Sequence, residues 1–202
     1  TVNFVGGHPM IGRETPGVEG ADQTMLSNAT YAITPSTSAS NEAVATVVKL
    51  VELMGARPYF VDAVEHDSLV AAISHLPMIL SAALVSTVAS SPSWPEMEKM
   101  ASGGFESVSR LASGSPVMHR DICLTNETSI VFWLDSLMRS LTEYRNLLTG
   151  SEPAEGLENA LSQAWEARQT WLTHRSDWRG ETVYLPPPPS LMDQVKGFIG
   201  GE

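Results

Sequence analysis

The 202-residue sequence predicts a mainly helical protein, with a short α/β remnant followed by an all-α region. Three observations predict it. Over residues 1–63, short runs of strand-forming residues alternate with one amphipathic helix pattern. From residue 64 to about 178 the pattern is helical throughout. Three strands are too few to make a sheet alone, so the first part reads as the last strands of a larger open sheet.

The elements follow in order. Residues 3–5 read as a strand that runs into Gly6 and Gly7, with His8 and Pro9 in a tight loop beyond it. Residues 31–34, ahead of Pro35, read as a second strand. Ser40 is a good N-cap for a helix with Val44, Val47, Val48 and Val51 on one side. Gly55 ends that helix, and residues 57–61 read as a third strand. Residues 64–89 are apolar nearly all round, as in a helix buried in a larger assembly. Pro77 should free the carbonyl of Ile73 and kink this helix just after His75. Short elements are expected around residues 96–100 and 105–111.

Ser115 and Pro116 make an N-cap with proline at the first helical position, and Gly150 is the matching stop. One helix between them would be about 50 Å long. Its stripe of Ile130, Leu134, Leu137, Leu141 and Leu148 overshoots a small core, so a partner subunit is expected to cover part of it. A last amphipathic helix, at about 153–174, carries Leu157, Leu161, Trp165 and Leu172. The stretch 179–202, with four prolines at 186–189, reads as a strap or spacer. The resulting division is 1–63, 64–178 and 179–202.

Composition limits the function. A formal charge of −11 argues against nucleic acid or an anionic membrane as the main partner. An anionic substrate would need a local cationic site. Cys123 is the only cysteine, which leaves no disulfide framework and fits a reducing, cytoplasmic setting. The first residues have no signal-peptide pattern, and the apolar run 76–89 reads as too short and too rich in serine and threonine to span a bilayer. The sequons at Asn28 and Asn126 then carry no meaning.

Four stretches could carry chemistry. His8 follows a strand and two glycines, where an imidazole can serve as general base; a loop histidine bonded to the backbone fits equally. Glu65, His66 and Asp67 with His75 could be metal ligands, but the acidic residues suit a helix first turn and the histidine spacing is not a usual ligand pair. No metal is expected. Gly103 and Gly104 before a short helix, followed by Arg110, suit an anion, with a surface salt bridge as the plainer reading. His119, Arg120 and Asp121 could add to that site or pair with structural neighbours.

Taken together, "VGGHPMIGRETPGVE" (5–19), "YAITP" (31–35), "LMGARPYFVDAVEHDSLVAAISHLP" (53–77) and "GGFESVSRLASGSPVMHRDICLTN" (103–126) resemble the prephenate/arogenate dehydrogenases of tyrosine biosynthesis. The resemblance covers residues 4 to about 175. It implies a Rossmann-like sheet remnant, a helical dimerisation domain, a homodimer, and NAD(P)-dependent oxidative decarboxylation of prephenate or arogenate, small dicarboxylate substrates. On that resemblance His8 is the catalytic hydrogen-bond acceptor, and Gly7 and Pro9 beside it adjoin the cofactor. Arg110 is the carboxylate anchor, and Gly103, His75, Asp67, His119 and Met78 line the substrate site. Two positions depart from the family: Met78 stands where many relatives have a second histidine, and His119 where they often have tryptophan. The G-x-G-x-x-G nucleotide fingerprint is absent from this sequence, which reads as a truncated chain expected to bind NAD poorly and to be inactive alone. Two other readings remain at this level, a non-catalytic helical dimerisation module and a His/Asp metallohydrolase.

Overall fold

The structure, a computed structural model, describes residues 2–12, 18–22 and 24–179. The proline-rich tail lies outside them. Among the described residues three strands form one sheet: β1 (Val5–Pro9), β2 (Thr30–Pro35) and β3 (Arg57–Phe60), in that order. β1 and β2 are antiparallel with His8 opposite Ala32, and β2 and β3 are parallel with Ala32 opposite Tyr59. Helix α1 (Asn41–Leu53) makes the crossover that the parallel pair requires. The Ser40 side chain accepts a hydrogen bond from the Ala43 N–H, the expected N-cap. Gly55 turns the chain at φ +76°, where a side chain would be strained.

Strand alternation sorts the two faces of the sheet. Val5, Tyr31 and the fully buried Ile33 pack with Val47, Val48, Val51, Met54 and Ala56. This is the α1 face, and the valine stripe read from the sequence makes it. Gly6 and His8 point to the opposite face, with Ala32 and Thr34. The paired glycines have a packing reason. A Cβ on Gly7 would lie 2.6 Å from the Tyr31 ring, and one on Gly6 would strike the Thr34 hydroxyl. His8 therefore lies inside β1 rather than in a loop after it, because the backbone stays extended through both glycines and pairs with β2.

Helix α2 (Ala63–Val70) starts at Asp62, whose carboxylate accepts from the Val64 and Glu65 N–H groups. It runs through a π turn (Ala71–His75) into α3 (Leu76–Ala89). The expected kink at Pro77 takes this form. The proline offers no N–H and crowds the preceding turn, and the helix widens so that the Leu76 N–H bonds the Ala71 carbonyl, five residues back. The three pieces make one apolar helix, Ala63–Ala89, of 27 residues. By length and composition it could cross a membrane, so exclusion of a span on the shortness of 76–89 does not hold. Within this chain the helix is not buried all round. Val70, Ala71, Met78 and Ser81 are buried, while Val64, Leu69 and Ile73 are exposed.

Beyond it come α4 (Trp94–Met100), α5 (Gly103–Ser109), a 3-10 turn (Arg110–Ser113) and α6 (Pro116–Thr125). Ser115 caps α6 through the Met118 N–H. The single long helix expected to Gly150 is two helices, α6 and α7 (Glu127–Thr149), parted at Asn126. Asn126 leaves helical geometry, at φ −126° and ψ 35°, and its side chain bonds to α2 instead. The apolar stripe of α7 runs from buried Ile130 to Leu141 and Leu148, which are 54% and 64% exposed.

The chain divides into two compact units, Thr1–Glu143 and Tyr144–Glu202. In the second, α8 (Pro153–Arg179) follows the end of α7, and Gly156 lies against Leu147 where a Cβ would meet it at 2.8 Å.

Candidate functional site

The first unit brings together residues from β1, α2, the π turn and the α6–α7 break. His8 Nδ1 lies 2.9 Å from His66 Nε2, with the rings edge to face at a centroid distance of 5.1 Å. His66 Nδ1 in turn lies 2.9 Å from the Asp67 carboxylate. The His66 side chain is 18% exposed and that of Asp67 57%, so the chain of contacts runs from a screened imidazole to a carboxylate open to water.

His75 stands on the π turn. Its Nδ1 is 3.3 Å from the Asn126 side-chain nitrogen, which also donates to the Asp67 carbonyl at 2.7 Å. The Trp133 indole donates to the neighbouring Ser68 carbonyl at 3.1 Å. Two side chains of the α6–α7 region thus hold the last turn of α2 just before the helix widens.

Electrostatics follows from this crowding. Burial pushes the His8 pKa below its ordinary 6.5, and the nearby His66 lowers it further. Burial also lowers the His75 pKa; Asp67 opposes that shift while His8 and His66 add to it. Both imidazoles are therefore neutral at pH 7, the state in which a histidine can accept a proton.

The other sequence candidates form a second group. Ser81, fully buried on α3, donates its hydroxyl hydrogen to the Val108 carbonyl and so fixes α5. Two residues later Arg110 opens the 3-10 turn, and with Glu106, Ser107, Ser109 and Ser113 it lines an open depression. Gly103 and Gly104 begin α5 with open space where a side chain would stand. The His119 ring packs against Gly114, leaving no room there for a Cβ. Arg120 pairs with Asp121 at 2.7 Å, the structural alternative raised for that pair. Met78 is 7% exposed and packs into the interior.

Reading the sequence singled out His8, His75 and Asp67, which this structure gathers, but missed His66 as the link and Asn126 altogether. The signal for His66 was its place beside Asp67 in Glu65-His66-Asp67. For Asn126 the only signal was an asparagine interrupting a helical pattern. Among the described residues, no three His, Cys, Asp or Glu side chains are grouped as metal ligands would be.

Comparison with known proteins is consistent in direction. A family model described as "Prephenate dehydrogenase, dimerization domain" matches residues 62–163, and one described as "Prephenate dehydrogenase, nucleotide-binding domain" matches residues 1–60. The prephenate dehydrogenase of Bacillus subtilis (strain 168) is 38% identical, over 98% of this chain and 55% of that protein. A crystal structure of prephenate dehydrogenase from A. aeolicus, in complex with hydroxyphenyl propionate and NAD+, superposes with a TM-score of 0.75 at 27% identity, covering 83% of this chain and 59% of that one. The crystal structure of Synechocystis arogenate dehydrogenase gives 0.73 at 28% identity, covering 84% and 62%. The chain spans about half the length of the curated relatives it matches.

Proposed function

Because this chain belongs to the prephenate dehydrogenase family, we propose that it forms the substrate-binding and dimer-forming portion of an enzyme that oxidatively decarboxylates prephenate or arogenate. The observation that carries the proposal is His8, a neutral imidazole on β1 with one ring nitrogen engaged by His66 and the other available to a substrate hydroxyl.

In this reading His8 accepts the hydroxyl proton as the adjacent carbon gives up its hydride. The electron pair of the bond to the departing carboxylate then completes the aromatic ring, carbon dioxide leaves, and the proton returns to what is now a phenolic oxygen. Arg110 is the carboxylate anchor, since a guanidinium can hold a carboxylate through two parallel hydrogen bonds. Gly103, His119 and the edge of the depression around Arg110 frame the substrate, and Met78 shapes the site from behind as an apolar wall. His75 and Asp67 contribute polar groups near His8.

NAD(P)+, when bound, supplies the hydride acceptor. The residues present fit one end of it. The backbone of Gly7 and Pro9 flanks His8 on the edge strand, where a nicotinamide ring could approach. The pyrophosphate has no matching cradle, because this sequence holds no G-x-G-x-x-G turn. Activity of the chain alone should accordingly be weak or absent.

A homodimer through the helical part accounts for the apolar residues that α7 leaves exposed, Val131, Phe132, Met138 and Leu141. The lone cysteine suits a cytoplasmic setting. The test is NAD(P)+ reduction with prephenate and with arogenate, on this chain and on one extended through a complete nucleotide-binding half. Turnover of either substrate by the extended chain is the expected result. No turnover of either, with the chain still dimeric, would favour a non-catalytic dimerisation module.

A further inference from the structure

We infer that His66 and Asp67 are positioning residues that hold His8 in a single tautomer, with its proton on Nδ1 and its lone pair on Nε2. The catalytic meaning of this arrangement rests on the reading of His8 as proton acceptor; the arrangement itself rests on two contacts.

The donor and acceptor roles follow in sequence. An ionised carboxylate only accepts, so His66 Nδ1, 2.9 Å from Asp67 Oδ1, carries a hydrogen. In a neutral imidazole the other nitrogen is then a bare lone pair. His66 Nε2 is that nitrogen, and it faces His8 Nδ1 at 2.9 Å. Two lone pairs at that distance would repel, so His8 Nδ1 must supply the hydrogen. His8 Nε2 is left unprotonated, the form a general base needs. The competing arrangement has a doubly protonated His66 donating to His8 Nδ1. It puts a cation beside His8 and leaves the His8 proton on Nε2, where the ring could donate but not accept.

His75 provides an internal contrast. The Asn126 amide nitrogen donates to the Asp67 carbonyl at 2.7 Å, and a carbonyl only accepts, so the orientation of the amide is set. The same nitrogen faces His75 Nδ1, which therefore accepts, and the His75 proton lies on Nε2. The two histidines of the cluster hold opposite tautomers.

Long-range proton–nitrogen correlation spectra of the 15N-labelled chain at about pH 8, where both rings are neutral, read these tautomers directly. His8 should show a protonated Nδ1 and a bare Nε2, and His75 the reverse. His66→Phe removes the acceptor and should move His8 toward a mixture or the Nε2–H form. His66→Gln, whose side-chain carbonyl can accept from Nδ1–H, should restore the original pattern. A wild-type His8 carrying its proton on Nε2 overturns the inference, as does a pattern unchanged by His66→Phe. If His66→Phe does not fold, the wild-type spectrum still decides. The catalytic reading fails separately. The stated tautomer with a fully active His8→Asn enzyme would refute that reading alone, while the wrong tautomer with an inactive His8→Asn enzyme would refute the positioning role alone.

Discussion

His8 and His75 share a cluster in which protonation is opposed by burial and by neighbouring imidazoles, and this sets a pH dependence whose sign can be worked out. The groups facing His8 are His66 from α2 and His75 from the π turn, while Asp67 contacts His66 and acts on His75. A histidine with a folded pKa below its unfolded value of 6.5 takes up protons more readily in the unfolded chain. Its contribution to stability is complete above pH 6.5 and is lost as the pH falls through the folded pKa. Denaturant midpoints measured from pH 8 down to pH 5 should therefore fall on the acid side. His75→Gln should flatten that fall; an equal slope in the variant would contradict the assignment. At Arg110, substitution by alanine should raise KM for the substrate by tenfold or more with a smaller change in kcat, as expected for the loss of about 1.5–3 kcal/mol of charged hydrogen bonding. An unchanged KM would remove Arg110 as anchor. His8, His75 and Asp67 were legible as candidates because each stands in a short sequence pattern with its own chemistry, and the structure brings these three together. The link through His66 was not, because it depends on β1 and α2 meeting across 58 residues of sequence.

At the scale of elements, the second and third strands and the helix between them were legible almost residue by residue, whereas the first strand, read at 3–5, runs Val5–Pro9. Ser40, the valine stripe and Gly55 act locally, so the sequence window contains their cause. Tertiary contact decides the rest. The expected loop at His8 became strand because Tyr31 and Thr34 fill the space over Gly7 and Gly6. The expected helix to Gly150 broke at Asn126 because that side chain bonds to the Asp67 carbonyl, which no local pattern reveals. Gly7→Ala should cost about 1–3 kcal/mol, since the added methyl must displace a ring packed on the core. Val51→Ala, at a fully buried position against Ile33, should cost about 2 kcal/mol. Equilibrium denaturation measures both. A loss below half a kcal/mol in Gly7→Ala would mean that Tyr31 moves freely and that the glycine has another reason.

Across the whole molecule, the apolar helix Ala63–Ala89 and the outer face of α7 leave more hydrophobic surface exposed than one chain has a use for. In the proposed dimer, a second copy would cover α7. Light scattering should give a dimer, and Leu141→Glu should shift it toward monomer while the helical content stays the same. A wild-type monomer would contradict that explanation. The stripe of Ile130, Leu134, Leu137, Leu141 and Leu148 already marked in the sequence the helix that carries surplus apolar surface, and Leu141 and Leu148 are exposed on α7. The single helix over 64–89 was legible in the sequence, whereas the π turn that carries it past Pro77 was not.

The central claim is that His8 accepts the substrate proton, and kcat for NAD(P)+ reduction in a chain extended through the nucleotide-binding half tests it most directly. His8→Asn should lower kcat by roughly 10²–10⁴-fold and leave KM within a few-fold of wild type. An unchanged kcat in a folded, substrate-binding His8→Asn enzyme would contradict the claim.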